Sequence, residues 1–463
     1  MPLPLGLLEQ IRTLGRESFA DLAPVVADLP RADAAELVNQ LALHEAVAMI
    51  ELLPLPEAVA IVEQATLQRR GGILEGAHPD RAARVLEGMA ADERTSVVRE
   101  MGEYARRRLL PKLSHAMRSE VETLLLYPPL TAGGIMTTEF VSLEPHMKVG
   151  EALSHLRSVA RGKEAIYACY ILEPQTSRLL GAVSLRDLVM AELEQPISEI
   201  MRKRPVTVSA RDDQEVVAAT IAKYNLLAVP VLEDDGRVVG FVTVDDVIDV
   251  MIAEGTEDAL RMGAVEVDEG DVSYASTPFW RLIRKRAGWL LVLFLSEMLT
   301  ATAMGRFEDE IASAVVLALF VPLIISSGGN SGSQAASLII RALALGELRL
   351  RDWWRVMRRE VLTGLVLGGI LGSVGFLRIS LWSWIWPGTY GPHWFLVAVT
   401  IWLSLIGVVM WGTLSGSMLP IALKKLGMDP AVSSAPFVAT LVDVTGIVIY
   451  FEVAARILKG TLL

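Results

Sequence analysis

The sequence after residue 278 contains five long apolar stretches, and this feature limits the fold more than any other. The stretches cover 287–305, 311–346, 361–381, 395–419 and 433–458. A helix of about 20 predominantly apolar residues crosses the hydrocarbon core of a bilayer, where the backbone must satisfy its own hydrogen bonds. The sequence therefore predicts a five-helix transmembrane domain over residues 279–463.

Basic residues are concentrated on one side of these stretches and predict their orientation. They include Arg284, Lys285 and Arg286 before the first stretch, and Lys424 and Lys425 after the fourth. Positively charged loops stay in the cytoplasm. We expect a multi-pass protein of the cell (inner) membrane, in contact with lipid, with a cytoplasmic N-terminus and an outer C-terminus. No secretory signal is expected, because the apolar start of the chain lacks a basic region.

Glycine and polar residues interrupt the second apolar stretch, within Pro322–Glu347. Gly328, Gly329 and Asn330 stand together there at membrane depth. Glycine lets the backbone bend, and open backbone survives in a membrane only when it is buried in protein or lines water. We expect a break in the helix here that forms the wall of a transport path, with these three residues supplying neutral oxygen atoms.

One carboxylate, Asp443, lies inside the last apolar stretch. An ionisable residue within a membrane span is a functional-site candidate. The sequence predicts that Asp443 meets the glycine-rich stretch and forms a cation path, with the carbonyl of Ala439 beside it. The alternative is a buried ion pair with a base such as Arg341. Glu297, in the first stretch, is either protonated and buried or faces water, and its role stays open.

The chemistry of such a path favours passive transport of a hydrated divalent cation. Mg²⁺ prefers octahedral oxygen ligands and gives up its water reluctantly. A membrane potential of 100 mV supplies about 4.6 kcal/mol for two charges, and the chain has no Gly-x-x-x-x-Gly-Lys-Ser/Thr nucleotide loop. We therefore expect a channel rather than an enzyme or an ATP-driven pump.

The residues before 279 are strongly acidic, since they hold 44 of the 54 acidic residues of the chain. This balance argues against a nucleic-acid partner, which would require basic patches, and favours divalent cations.

Residues 1–130 repeat apolar positions at intervals of three and four, with turns at Leu53–Pro56 and His78–Asp80. This pattern predicts an α-helical N domain, either a superhelix of helical hairpins or an irregular bundle.

Residues 131–252 contain an internal repeat: Gly181-Ala-Val-Ser-Leu-Arg-Asp recurs as Gly240-Phe-Val-Thr-Val-Asp-Asp. The predicted elements are helices at 149–158 and 213–224 and strands at 166–172, 180–183, 228–232 and 238–242. The repeat resembles a tandem pair of α/β CBS domains, which implies an adenine nucleotide such as ATP on Ser184, Asp187, Thr243 and Asp246. The alternative is that the hydroxyl groups cap the following helices and the cleft is empty.

An acidic connector, 244–271, joins these domains to the membrane region. On a helix, Asp246 and Asp249 lie about one turn apart, and Glu254, Glu257 and Asp258 share one face. Like charges at that spacing destabilise a helix unless a cation neutralises them. The connector therefore predicts a plug helix that binds divalent cations, with a solvated linker as the alternative.

Three motifs together resemble the MgtE family of magnesium channels: Pro322–Gln334, Arg341–Ala344 and Asp443–Gly446. The resemblance implies a homodimer with a pore on its two-fold axis, in which Asp443 and the Ala439 backbone bind hydrated Mg²⁺. It also implies closure by cytosolic Mg²⁺, bound by acidic residues and by one backbone carbonyl. The matching positions are Asp213, Glu215, Ala222, Asp246, Asp249, Glu254, Glu257 and Asp258. Glu57 and Asp92 are further candidates in the N domain. Asn225 stands where the resemblance leads us to expect an acidic residue.

Other classes of protein remain as alternatives. A CBS-regulated transporter of Co²⁺, Mn²⁺ or Ni²⁺ fits the same oxygen ligands, and a CorC-like exporter shares the CBS domains. A chloride channel would have more spans and no use for Asp443. An intramembrane metalloprotease needs His-Glu-x-x-His on a membrane helix, and the chain has none.

Overall fold

The computed structural model describes residues 19–159, 166–266 and 277–462. It consists of two compact units, Met1–Glu254 and Gly255–Leu463. The predicted order of a helical N domain, two α/β units, an acidic helix and five candidate membrane helices is confirmed.

Short helices occupy the first part of the first unit. They are α1 (Phe19–Ala27), α2 (Arg31–Asn39), α3 (Leu43–Leu52), α4 (Leu55–Val62), α5 (Arg70–Gly76), α6 (Pro79–Gly88), α7 (Ala91–Glu100), α8 (Glu103–Leu109) and α9 (His115–Leu124). Helices α2, α3, α4, α6, α7, α8 and α9 all begin at multiples of twelve residues from Arg31. They share one core, which includes Leu37, Met49 and Leu86. The predicted superhelix therefore has a twelve-residue repeat.

Glutamates at the same twelve-residue interval accept hydrogen bonds from the backbone N–H groups at the starts of these helices. Glu51 accepts a hydrogen bond from the His78 N–H at 2.6 Å, and Glu63 accepts one from the Ala90 N–H at 2.9 Å. Glu75 and Glu87 do the same for Gly102 and Ser114. The donors are the backbone N–H groups of the residues that precede α6, α7, α8 and α9. In a capping box a side chain of the same helix accepts this hydrogen bond. Here the acceptor is instead a glutamate 27 positions earlier in the chain.

Two similar three-stranded sheets follow. They contain β1 (Val141–Leu143), β2 (Ala168–Leu172) and β3 (Leu179–Ser184), then β4 (Val208–Ser209), β5 (Ala228–Leu232) and β6 (Val238–Thr243). In each sheet the first strand is parallel to the second and the second is antiparallel to the third. Helices α10 (Ala132–Ile135), α11 (Val149–Val159), α12 (Leu185–Met190), α13 (Ile197–Ile200) and α14 (Gln214–Tyr224) accompany them. The predicted strands and helices agree with these bounds to within two residues.

Helix α15 (Val244–Met262) is the predicted acidic helix. The predicted connector extends to residue 271, and its positions from 267 onward lie outside the described residues.

The second unit contains five helices long and apolar enough to cross a membrane. Their helical segments are α16 (Phe279–Arg306), α17 (Glu308–Ser313), α18 (Val315–Ala318), α19 (Val321–Ala344), α20 (Trp353–Ile385), α21 (Trp394–Lys425) and α22 (Ala435–Ile457). Helices α16, α20 and α21 extend beyond the predicted apolar stretches, because charged and aromatic residues continue the helix past the hydrocarbon.

The predicted break in the second span is wrong. Helix α19 is continuous from Val321 to Ala344, with Gly328, Gly329 and Asn330 in helical conformation. A continuous helix satisfies its own backbone groups in lipid, and these glycines serve close packing instead. A Cβ at Gly328 would lie 2.5 Å from Val408 Cγ1 on α21 and 2.8 Å from Val442 Cγ1 on α22.

A second close approach joins α20 to α21. A Cβ at Gly364 would lie 2.5 Å from the Met410 Cα, and one at Gly368 would lie 2.6 Å from the Ile406 Cα. Gly372 meets Trp402 in the same way, so glycines four residues apart form one face of α20. Small residues of this kind let two membrane helices touch along their backbones.

Candidate functional site

Asp443 lies on α22, eight residues from its first residue, or about 12 Å along the helix axis. Its side chain is half-buried. Within the described residues it has no hydrogen-bond donor and no ion-pair partner. Arg341, the base considered as a partner, is instead 4.0 Å from Glu347 at the end of α19. The carboxylate is therefore held at membrane depth without a neutralising group from the described part of the chain.

Gly329 forms the wall opposite this carboxylate. A Cβ at Gly329 would lie 3.5 Å from Asp443 Oδ1 and 3.4 Å from Ala439 Cβ. The structure thus brings together three of the predicted residues, two on α22 and one on α19. Any larger residue at Gly329 would fill space next to the carboxylate.

The other predicted path residues have different surroundings. The Asn330 side chain is exposed, and its Nδ2 donates to Ser326 Oγ at 3.3 Å on the same helix. Gly328 faces Val408 and Val442 rather than Asp443. In a regular helix the Ala439 carbonyl accepts from the N–H of Asp443, which leaves one lone pair for a water molecule of a hydrated ion.

A buried arginine in the first unit, which the sequence analysis missed, pairs with two glutamates. Arg70 is 8% exposed, and its guanidinium lies 2.5 Å from Glu93 Oε2 and 3.0 Å from Glu100 Oε1. Its third partner is Ser96 Oγ at 3.1 Å. These residues are 23 to 30 positions apart in the sequence, so no local pattern reports the cluster.

The carboxylates near Arg70 have raised pKa values. Burial is the main cause for Asp246, and the charges of Asp245 and Glu93 add to it, so that its pKa rises to about 7. Burial followed by the charge of Asp245 raises the pKa of Asp249. Burial raises the pKa of Glu93 as well, although Arg70 opposes the shift. This part of the unit therefore holds negative charge at a cost, which a bound proton or cation would relieve.

The remaining predicted metal ligands are distributed along α14 and α15. Asp213 caps α14 by accepting from the Glu215 N–H at 2.9 Å, and Ala222 lies in the last turn of that helix. Glu254 accepts from Gln214 Nε2, and Glu257 forms an ion pair with Arg261, which also pairs with Asp429. Asp258 lies on the same helix. In the described ranges no three acidic, histidine or cysteine side chains converge as a metal site, so these ligands stay predictions.

The predicted nucleotide residues occupy matching places in the two sheets. Ser184 pairs with Ala168 in one sheet and Thr243 with Ala228 in the other. Ser184 Oγ accepts from the Asp187 N–H at 3.0 Å, which is the helix cap considered as the alternative. Thr243 donates its hydroxyl hydrogen to Asp246.

A buried tyrosine lies between the two sheets. The ring of Tyr170 packs against Phe140 and Phe241, with ring centroids 6.0 and 6.2 Å apart. Its hydroxyl is buried and has no hydrogen-bond partner in the described part of the chain. The sequence analysis missed this residue, although an aromatic residue with a polar tip in the middle of a strand was a usable signal.

Comparison with known proteins gives concordant matches along the chain. Family models match as an MgtE intracellular N domain at 29–129, as CBS domains at 132–194 and 197–253, and as the MgtE divalent cation transporter domain at 321–453. A magnesium transporter MgtE of Thermus thermophilus is 42% identical over 353 residues, which are 76% of each chain. A magnesium transporter MgtE of Enterococcus faecalis is 36% identical over 73% of this chain and 72% of its own.

A solved structure described as the cytosolic domain of the Mg²⁺ channel MgtE in complex with ATP is 32% identical. It covers 54% of this chain and 100% of its own, with a TM-score of 0.49.

Proposed function

Because the chain belongs to the MgtE family of divalent cation transporters, we propose that it is a channel for Mg²⁺ uptake across the inner membrane. The relatives that support the choice of ion are both named magnesium transporters. Co²⁺, Mn²⁺ and Ni²⁺ accept the same oxygen ligands, and direct flux measurements distinguish them.

The observation that carries the proposal is the Asp443 carboxylate beside Gly329, which has no partner among the residues that the structure describes. Placing a charge in the hydrocarbon is costly, so such a residue faces water or a cation. The glycine keeps the space next to the carboxylate open. Asp443 then binds the hydration shell of the ion, and the Ala439 carbonyl accepts a hydrogen bond from one of its waters. The membrane potential drives inward movement without ATP hydrolysis.

The acidic residues of the first unit supply the proposed regulation. At low cytosolic Mg²⁺ the carboxylates of Glu93, Asp246 and Asp249 carry unfavourable negative charge, because burial, and after it neighbouring carboxylates, raises the pKa of each group. Bound Mg²⁺ neutralises that repulsion and favours a compact arrangement. We assign channel closure to this arrangement, with the acidic residues of α15 as the link to the membrane helices.

ATP binding belongs to the CBS domains in this proposal. Ser184 and Asp187 in one sheet, with Thr243 and Asp246 in the other, stand where hydroxyl and carboxylate groups would meet a ribose. The buried hydroxyl of Tyr170, which has no partner in the described part of the chain, lies between the same two sheets. Asp246 is then shared between nucleotide and cation, which couples the two ligands.

A homodimer is also part of the proposal. Large apolar side chains on α12 and α15 are exposed, among them Met190 (79%), Val189 (64%), Ile252 (59%) and Met251 (55%). Exposed apolar clusters of this kind favour a protein partner, and a second copy would cover them while bringing two Asp443 residues to one axis.

The test is Mg²⁺ flux into liposomes that contain the full chain. Asp443→Asn keeps the shape of the side chain and removes its charge, so we expect flux to fall to the level of empty liposomes. Asp309→Asn, at an exposed position of the short helix α17, is the matched control and should transport normally. Normal flux through the Asp443→Asn variant would remove Asp443 from the path.

A further inference from the structure

Three arginines near the start of α20 have no partner among the residues that the structure describes. The side chains of Arg355, Arg358 and Arg359 are exposed, and none of them forms an ion pair or a side-chain hydrogen bond within the described ranges. Val356, next to the first of them, is buried in a cluster with residues of α19 and α21. The start of α20 is therefore held against the bundle while the arginines face away from it.

The acidic residues at this end of α20 do not neutralise the arginines. Between residues 347 and 360 the chain holds five arginines and three acidic residues. Asp352 Oδ2 accepts a hydrogen bond from the Arg349 N–H at 3.0 Å, and Glu347 lies 4.0 Å from Arg341. The third acidic residue, Glu360, is half-buried and offers one carboxylate to three guanidinium groups. An excess of positive charge remains on this surface.

The arginines continue an apolar face of α20 that points away from the bundle. Arg355, Arg359, Leu362, Val366 and Ile370 follow one another at intervals of three and four, so they share one face of the helix. The three apolar residues among them are each more than half exposed. Apolar side chains on the outside of a membrane helix meet lipid tails. Lipid that lies along this face therefore ends at the arginines.

The length of α20 places the arginines at the level of the lipid headgroups. Arg378 is the next charged residue after Glu360, and it follows Arg359 by nineteen positions. At about 1.5 Å per residue these positions span about 28 Å, close to the roughly 30 Å of the hydrocarbon core. When the uncharged part of the helix crosses the hydrocarbon, the guanidinium group of Arg359 reaches the headgroups of one leaflet.

Two exposed tryptophans stand beside the arginines. The rings of Trp353 and Trp354 meet edge to face, with centroids 5.6 Å apart. Trp354 precedes Arg358 by one helical turn, so their side chains are neighbours on the helix surface. Tryptophan is enriched where the headgroups meet the hydrocarbon. The aromatic pair thus independently places this surface at the membrane boundary.

We propose that Arg355, Arg358 and Arg359 bind the phosphate of an anionic phospholipid whose tails lie along the outward face of α20. The planar guanidinium group matches phosphate with two parallel hydrogen bonds. A zwitterionic lipid also carries a phosphate, but its own cation offsets that charge. Clustered basic residues next to a membrane helix favour anionic lipid for this reason. The interaction is separate from ion transport and fixes the height of α20 in the bilayer.

The test measures how strongly the full chain in detergent micelles retains added lipid, with native mass spectrometry as the readout. The parent chain should retain dioleoylphosphatidylglycerol more strongly than dioleoylphosphatidylcholine. The double variant Arg355→Gln, Arg359→Gln should weaken retention of phosphatidylglycerol by about fivefold for each arginine replaced. Arg378→Gln is the matched control on the same helix, because that guanidinium group already lies 5.4 Å from the centroid of the Trp382 ring. It should retain lipid as the parent does.

Equal retention of the two lipids by the parent chain would overturn the inference, and so would an equal loss in Arg378→Gln. Inorganic phosphate should not displace the lipid, and displacement would assign the arginines to a soluble anion instead. A change of oligomeric state in the glutamine variant with unchanged lipid retention would show that a second copy covers this face. Where the glutamine variant fails to fold, the double variant Arg355→Lys, Arg359→Lys keeps both charges and should bind phosphatidylglycerol less strongly than the parent. Full retention by the lysine variant would contradict recognition of phosphate by the guanidinium groups.

Discussion

The contact between α20 and α21 allows a sharp test, because two adjacent glycines differ in their surroundings. A Cβ at Gly368 would lie 2.6 Å from the Ile406 Cα and 3.0 Å from the Leu405 carbonyl oxygen. A Cβ at Gly369 would meet nothing within 4 Å. Gly368→Ala therefore forces the two helices apart, whereas Gly369→Ala adds a methyl group to open space.

The magnitude follows from the overlap. Carbon atoms in contact prefer about 3.5–4.0 Å, so the helices must separate locally by about 1 Å. Overpacking of this kind costs about 1–3 kcal/mol, and replacing a helical glycine with alanine returns about 0.5–1 kcal/mol. We expect Gly368→Ala to be less stable by about 1–2 kcal/mol and Gly369→Ala to be slightly more stable.

The measurement is the free energy of unfolding of the full chain in detergent micelles, followed by tryptophan fluorescence. Trp402 on α21 lies against Gly372, one turn from the mutated position, and reports on this contact. Equal stabilities for the two variants would refute the argument that glycine is required at 368 for backbone contact. A stable Gly368→Ala variant with unchanged fluorescence would have the same meaning.

Three further changes test the first unit by thermal unfolding of the full chain. Glu63→Ala removes the cap at Ala90 and should cost about 1 kcal/mol, while Glu63→Gln, which keeps an acceptor oxygen, should cost less; equal losses would contradict the cap. Arg70→Met leaves the carboxylates of Glu93 and Glu100 without their partner and should cost about 3–5 kcal/mol; a loss below that of Glu63→Ala would show that the pairs contribute little. The pKa of Asp246 is about 7 in the folded state and about 3.9 in the unfolded chain. Between these two pH values the native state binds more protons than the unfolded state, so the free energy of unfolding should rise as pH falls from 8 to 6. Asp246→Asn should flatten this dependence, and a profile parallel to that of the parent would exclude Asp246 as its source.

Local patterns allowed much of the fold to be predicted from the sequence. Strand β5 was predicted at its observed bounds, Ala228–Leu232, because its apolar run is closed by the Asp234–Gly236 turn. Membrane helices were found by hydropathy, but their ends were not. Helix α20 begins at Trp353 rather than at 361, since Arg355, Arg358 and Arg359 continue the helix where hydropathy falls.

The candidate site was predicted less evenly. Asp443 was a candidate because a carboxylate inside an apolar stretch is rare, and Ala439 was one because it precedes Asp443 by about one helical turn; both roles stay predictions. The role of Gly328 was misjudged, since the sequence does not distinguish a glycine that bends a helix from one that admits a neighbouring helix. Arg70 and Glu93 were missed because their contact joins distant turns of the superhelix.

The glutamates that hold successive helix starts make the N domain modular in length. Each acceptor and donor are separated by 27 positions, while the pattern advances by twelve. Gain or loss of one whole twelve-residue unit moves acceptor and donor together and leaves every remaining bridge correctly matched. An insertion of any other length within these repeats places a glutamate opposite the wrong backbone N–H. Tolerated length variants of this domain should therefore differ by multiples of twelve residues.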